Sequence, residues 1–302
     1  MFNKGEQLLI LCNKKNKKIS EITLEKELLD SGISYDDLMD KMKETLSVMK
    51  SSATSALDKE IKSVSGLIGG DSKRVEDYKN SGKTLSGDLV ISAMAKALST
   101  SEVNASMGRV VAAPTAGASG IMPSALLSAQ EKLNLTDDDL ILGLFTAAGI
   151  GEIVAKNATI SGAEGGCQAE CGVAAAMAAA AIVEMAGGSP EAALDAASFA
   201  LINIMGLVCD PIAGLVEYPC ALRNASGVVN AFISSDLALA GVNSLVPFDE
   251  VVDAMYKVGK AMPESLRETA LGGLATTPTG EALRRRCFNW LAKSSIVSLK
   301  MN

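Results

Sequence analysis

The chain has 302 residues, 48% hydrophobic and 21% charged, which is enough for one large buried core or two domains and too apolar for a disordered chain. Its formal charge of -7 and pI near 4.9 argue against a nucleic-acid footprint. It contains no histidine, which excludes Ser-His-Asp and Cys-His hydrolysis, histidine-ligated zinc and any histidine base supplied by this chain.

In chain order, MFNKGEQLLILCNKK has an apolar stretch too short and too poorly flanked for a cleaved signal. No segment reaches the ~20 uncharged apolar residues of a membrane span, so a soluble, cytoplasmic protein without membrane partners is expected. Lys14, Lys15, Lys17 and Lys18, and later Arg284, Arg285 and Arg286, form basic clusters that suit solvated faces or partner contacts. SEITLEKELLDSG has apolar residues at Ile22, Leu24, Leu28 and Leu29 and stops at Gly32, as a short helix should. Ser34 with Asp37 resembles a capping box for a longer helix through Leu38, Met42, Leu46 and Met49. This charged portion, 1–60, reads as a helical segment set before a main domain, 61–302.

The stretch SVSGLIGGDSK then breaks the pattern, and the composition shifts to Ala, Gly and Val. The fold class expected is mainly α, a compact domain of buried Ala/Gly-rich helices around a central apolar one. That central helix is CGVAAAMAAAAIVEMAGG, about four turns long, interrupted by Glu184 and stopped at Gly187-Gly188. Ser189 as N-cap and Pro190 in the first turn open the next helix. SSDLALAG and FDEVVDAMYKVGKAM predict two more.

Six cysteines in a reducing compartment are free for metal or catalysis. Cys167 and Cys171 lie four apart in GGCQAECG, where they could be a redox pair, metal ligands or small buried hydrophobes. Cys167 follows two glycines, Cys209 sits in GLVCDPIAG before an Asp-Pro that can cap and open a helix, and Cys220 follows Pro219. Three thiols at expected helix N-termini, where the dipole favours thiolate, suit a metal, and without histidine all-sulfur ligation points to zinc or an iron–sulfur cluster. Cys12 and Cys287 read as structural. APTAGASGIMPSALL is the candidate anion site, with Thr115, Gly117, Ser119 and Gly120 exposing N–H groups and hydroxyls ahead of a helix near Pro123. SGLIGGDSK offers Ser65, Asp71 and Lys73 in a loop. Asn157, Ser161, Arg223 and Asn224 are polar neighbours of cysteines, suited to substrate contacts.

The runs NATISGAEGGCQAE, GLVCDPIAGLVEYPCALRNA, SSDLALAG and LRETALGGLATTPTG, with ISEITLEKELLDSG, SGLIGGDSK and EVNASMGRVVAAPTAGASGIMPSALL before them, resemble the alpha chain of the iron–sulfur-dependent bacterial L-serine dehydratases, over nearly the whole length. The resemblance implies a [4Fe–4S] cluster on Cys167, Cys209 and Cys220, whose spacing is similar to the family's, with Cys171 outside the ligand set. It implies elimination of water from L-serine to give pyruvate and ammonia. It favours an active-site role for the Ser65, Asp71 and Lys73 loop and a substrate-carboxylate role for the Thr115 to Gly120 turn. It also implies a beta portion, separate or fused, carrying the histidine base. Two departures stand out: Cys171 in place of a small apolar residue, and Val64 where the family usually has histidine. The alternatives weighed are elimination from threonine or cysteine at the same site, a non-enzymatic iron–sulfur sensor or scaffold, and pyridoxal-phosphate chemistry on Lys83, which lacks a phosphate-cup signature.

Overall fold

A computed structural model describes residues 2–299, with side chains through residue 288. Thirteen α-helices make up the described chain. The first seven are α1 (Gly5–Lys15), α2 (Ile19–Ser31), α3 (Tyr35–Thr54), α4 (Asp71–Asn80), α5 (Gly87–Ala105), α6 (Ile121–Leu133) and α7 (Asp137–Asn157). They are followed by α8 (Gly162–Gly165), α9 (Val173–Met185), α10 (Pro190–Ile202), α11 (Cys220–Leu239), α12 (Phe248–Ala261) and α13 (Pro278–Leu299). Among the described residues there is no strand, only isolated bridges joining Lys62 to Gly69 and Cys209 to Arg267.

The centre is α9, in which every residue from Val173 to Glu184 is buried. Its alanines leave a thin cylinder, so α6, α7, α10 and α11 close on it from all sides. The stretch Gln168–Met185 is long and apolar enough to cross a membrane, and 89% of it is buried inside the protein. Where this helix ends, Glu184 turns its carboxylate to the start of α2 and accepts from Ile19 N at 2.8 Å, Ser20 N at 3.3 Å and Thr146 Oγ1 at 2.8 Å. A carboxylate from another helix thus satisfies the open N–H groups of α2, whose own N-cap, Lys18, accepts no such bond.

Local signals act where expected. Gly32 ends α2 with φ +68°, Ser34 Oγ accepts from Asp37 N at 3.1 Å, and Ser189 Oγ accepts from Ala192 N at 3.2 Å ahead of Pro190. The charged N-terminal helices pack on the rest: α2 lies on α7, α3 on α5, and Leu8, Ile22, Leu38 and Leu46 share one core with α9.

Two expectations are corrected. SSDLALAG is no separate helix but the last turns of α11, because no proline interrupts the run from Cys220 and Gly227 is carried within the helix. Asp210-Pro211 opens only a 3-10 turn, Ile212–Gly214, which Ala213 breaks at φ +59°. Asp210 does not cap it; its carboxylate is taken by Arg223 Nη2 at 2.7 Å and Leu274 N at 2.7 Å.

Candidate active site

Cys167 stands at the mouth of α9. It precedes a π-helical turn, Gln168–Gly172, which runs directly into α9. Gln168 locks this turn with its side-chain amide, donating to Gly165 O at 2.9 Å and Met255 O at 3.0 Å and accepting from Gly206 N at 2.8 Å. Gly166, at φ +75°, is the position that permits the turn: a Cβ there would lie 2.8 Å from Leu207 O.

Cys209 is held by extended backbone rather than by a helix. Its N–H donates to Leu266 O at 2.8 Å and its C=O accepts from Glu268 N at 2.7 Å, pinning the 266–273 loop beside it. Glu268 and Ala270 take left-handed φ of +66° and +55° in that loop, a conformation costly for residues with a Cβ and kept only by such ties. Cys220 is the first residue of α11, as its preceding proline suggests. Two of the three thiols therefore sit at helix starts, and the third does not.

These thiols share one electrostatic neighbourhood. Burial pushes Cys220 up to about 12, with the negative charge of Cys167, Glu170 and Glu268 adding to it, and the same groups and burial raise Cys209 further. The Cys171 thiol lies 3.3 Å from Cys167 Sγ; its hydrogen bond lowers the pKa of Cys167 and raises its own. Arg223 opposes the negative charge, lowering Cys167 and Cys220. Its Nη2 is paired with Asp210, while Nη1 is buried without a partner.

Glu170 is the residue that sequence reasoning missed. It lies in the π turn between the two cysteines of CQAEC. Its Oε1 accepts from Thr115 Oγ1 at 2.7 Å, its Oε2 lies 4.0 Å from Cys209 Sγ, and burial raises its pKa. Gly162 makes room for it, since a Cβ there would meet Glu170 Oε2 at 2.6 Å and Cys209 Sγ at 3.1 Å. The signal available was the carboxylate three residues after Cys167, hidden because a charge in such an apolar run reads as a solvated position.

Thr115 and Gly117 meet this site directly, Thr115 by its bond to Glu170 and Gly117 by close approach to the same carboxylate. Asn224 supports their turn: Nδ2 donates to Gly117 O at 2.7 Å and Cys220 O at 2.9 Å, and Oδ1 accepts from Gly120 N at 2.9 Å. Gly120 N is thereby consumed, and Ser119 turns its hydroxyl back to Ala116 O at 2.7 Å. The N–H groups of Ala116 and Gly117 have no partner among the described residues. The next helix begins at Ile121, with Pro123 inside its first turn.

The remaining candidates are held by other partners. Ser65 donates to buried Glu217 Oε2 at 2.7 Å, tying its loop to the segment before Cys220. Asp71 and Lys73, expected in a loop, lie instead in the first turn of α4, which Gly70 opens; Asp71 pairs with Arg74, and Lys73 Nζ pairs with Asp77 at 2.6 Å. Asn157 donates to Asn3 O at 2.6 Å and Ile153 O at 2.7 Å. Ser161 precedes α8, its N–H donating to Thr159 Oγ1 at 3.1 Å. Val64 is 44% exposed.

The family model described as serine dehydratase alpha chain matches residues 14–275. The chain is 55% identical over 285 residues to the L-serine dehydratase, alpha chain, of Peptoniphilus asaccharolyticus, covering 94% of this chain and 98% of that one. It is 49% identical over 288 residues to the probable L-serine dehydratase, alpha chain, of Bacillus subtilis (strain 168), covering 95% and 96%. It is also 38% identical over 285 residues to the L-serine dehydratase of Helicobacter pylori (strain ATCC 700392 / 26695), covering 91% of this chain and 62% of that protein.

Proposed function

The chain belongs to the serine dehydratase alpha-chain family, and from that membership we propose that it eliminates water from L-serine as the alpha subunit of a two-chain lyase. The elimination leaves aminoacrylate, which rearranges to the imine and takes up water to give pyruvate and ammonia. The observation that carries the reading is the gathering of Cys167, Cys209 and Cys220 with Arg223 around the Glu170 carboxylate.

Cys167, Cys209 and Cys220 are the residues that would hold a [4Fe–4S] cluster. The donor chemistry fits. Cys209 and Cys220, raised by burial and nearby negative charge, need a positive centre to ionise, and soft sulfur donors select iron–sulfur or zinc. Among the described residues no three Cys, Asp or Glu side chains are placed to hold a single metal ion. When bound, the cluster supplies a Lewis-acidic iron that neutralises departing hydroxide.

The chain's own groups prepare the substrate. Arg223 Nη1, buried and unpaired, and the open N–H groups of Ala116 and Gly117 suit the serine carboxylate, with Thr115 beside them. Asn224 holds the turn to the base of α11, so carboxylate site and thiols keep one spacing. Ser65, through Glu217, holds the 61–70 loop against the same segment. Lys73 is engaged at the surface by Asp77, which favours a base from outside this chain: a histidine of the beta subunit. All six thiols are free, in keeping with a reducing cytoplasm.

Protein purified without oxygen is expected to carry about four iron and four sulfide per chain, and with its beta chain to form pyruvate from L-serine. Stoichiometric zinc without acid-labile sulfide would overturn the cluster, and a paired enzyme inert toward serine would overturn the reaction.

A further inference from the structure

Helix α11 has two faces of different fate. One, with Ala225, Val228, Ala231 and Phe232, is buried against α5, α9 and α10. The other exposes Leu222 (50%), Ile233 (49%) and Leu237 (42%), with Ser226 and half-buried Val229 between them. These positions recur every three or four residues, so they form one stripe about 22 Å long. Large aliphatic side chains aligned along one exposed helix face mark a contact face more often than a solvated one.

The stripe begins two residues after Cys220. At that end Leu222, Tyr218 and Leu67 wall a pocket of about 400 Å³ between the 61–70 loop and the first turn of α11. The same loop is tied by Ser65 to Glu217. Whatever covers the stripe therefore also reaches the edge of the thiol site.

The relatives differ in length. The Helicobacter pylori protein aligns with nearly all of this chain and continues well beyond it, whereas the Peptoniphilus asaccharolyticus alpha chain is matched almost end to end. Polypeptide that is continuous in one relative has to be supplied separately to an alpha chain, and it needs an apolar seat close to the site it completes. Resting on the alpha-subunit reading above, we infer that the outer face of α11, from Leu222 to Leu237, with the pocket at its Cys220 end, is the docking surface for the separate beta chain.

The test co-expresses the beta chain with wild type, Ile233→Glu and Leu237→Glu, and measures the dissociation constant of each purified pair. A carboxylate driven into an apolar contact weakens binding by about 100-fold or more, while helicity and thermal transition of the free variants stay as in wild type. Leu29→Glu, on the exposed side of α2 (71% exposed), binds normally. Hydroxyl-radical footprinting of the wild-type pair needs no variant: Leu222, Ile233 and Leu237 lose labelling when the beta chain is bound. Unchanged binding by both glutamate variants, or unchanged labelling, overturns the inference. So does a wild-type alpha chain that self-associates through this face, becomes monomeric as Ile233→Glu, and still binds beta. Turnover is read separately: a pair that binds as expected yet makes no pyruvate from serine overturns the dehydratase reading, while the binding data still support the face.

Discussion

Cys167 and Cys171, 3.3 Å apart at sulfur, differ in where their backbone stands rather than in proximity. Cys167 precedes the π turn and feels the charge of Arg223, whereas Cys171 lies inside the turn; both are buried. Replacing Cys167, Cys209 or Cys220 by serine is expected to abolish bound iron and sulfide, because each change removes a soft donor and its charge. Cys171→Ala, Cys12→Ser and Cys287→Ser retain them; iron analysis of anaerobic protein separates the sets, and iron loss in Cys171→Ala would redraw the ligands. Asn224 tests the turn. Asn224→Ala leaves Gly117 O, Cys220 O and Gly120 N short of partners, so it should cost about 2 kcal/mol of stability. By loosening the 115–120 turn it should also lower kcat/KM roughly 100-fold while iron content holds. A variant with wild-type kcat/KM would remove the turn from the site.

At the scale of elements, carboxylates do unusual work at helix starts. Glu184 of α9 serves α2, and Glu184→Ala strands Ile19 N and Ser20 N in the interior and leaves Thr146 Oγ1 only its long bond to Leu142 O, an expected loss of about 3 kcal/mol by denaturant unfolding. Glu102 of α5 serves α4, accepting from Asp71 N at 2.6 Å and Ser72 N at 3.1 Å, with Oε2 buried and unpartnered. Burial raises its pKa despite those backbone donors, so folding favours the protonated form. That contribution to stability is present at low pH and is lost as pH rises through the raised folded value. Glu102→Gln, whose amide oxygen still accepts from both N–H groups, should flatten this decline in thermal scans from about pH 4 to 7. A wild-type pH profile in the variant would assign the dependence elsewhere. These cross-helix caps are illegible in sequence, since nothing local links residue 184 to 19. The local caps at Gly32, Ser34 and Ser189 were legible because signal and partner lie within four residues. The Asp210-Pro211 reading failed for the converse reason: a strong local cap signal was overridden by the distant Arg223 and Leu274. The positions of Cys167 and Cys220 at helix starts were readable from flanking glycine and proline, whereas Glu170 became visible only once the π turn brought it to Thr115 and Cys209.

For the molecule as a whole, the decisive feature is an imbalance. The chain collects thiols suited to hold a metal, and a guanidinium nitrogen without a partner and open N–H groups suited to hold an anion, yet has no histidine to take a proton from the substrate Cα. Lysine could serve only if desolvated, and Lys73 is paired with Asp77 at the surface instead. Glu170 lies among the thiols, and Asp71 is paired with Arg74. Binding and proton abstraction should therefore separate. The isolated chain with its cluster reconstituted is expected to bind L-serine, seen as a serine-dependent change in the cluster's spectrum, without sustained formation of pyruvate. Adding the beta chain restores turnover, with a rate that rises through a pKa near that of histidine, about 6.5. Lys73→Ala leaves the rate of the pair unchanged. Full turnover by the isolated chain would place the base within these 302 residues, and loss of that turnover in Lys73→Ala would identify it.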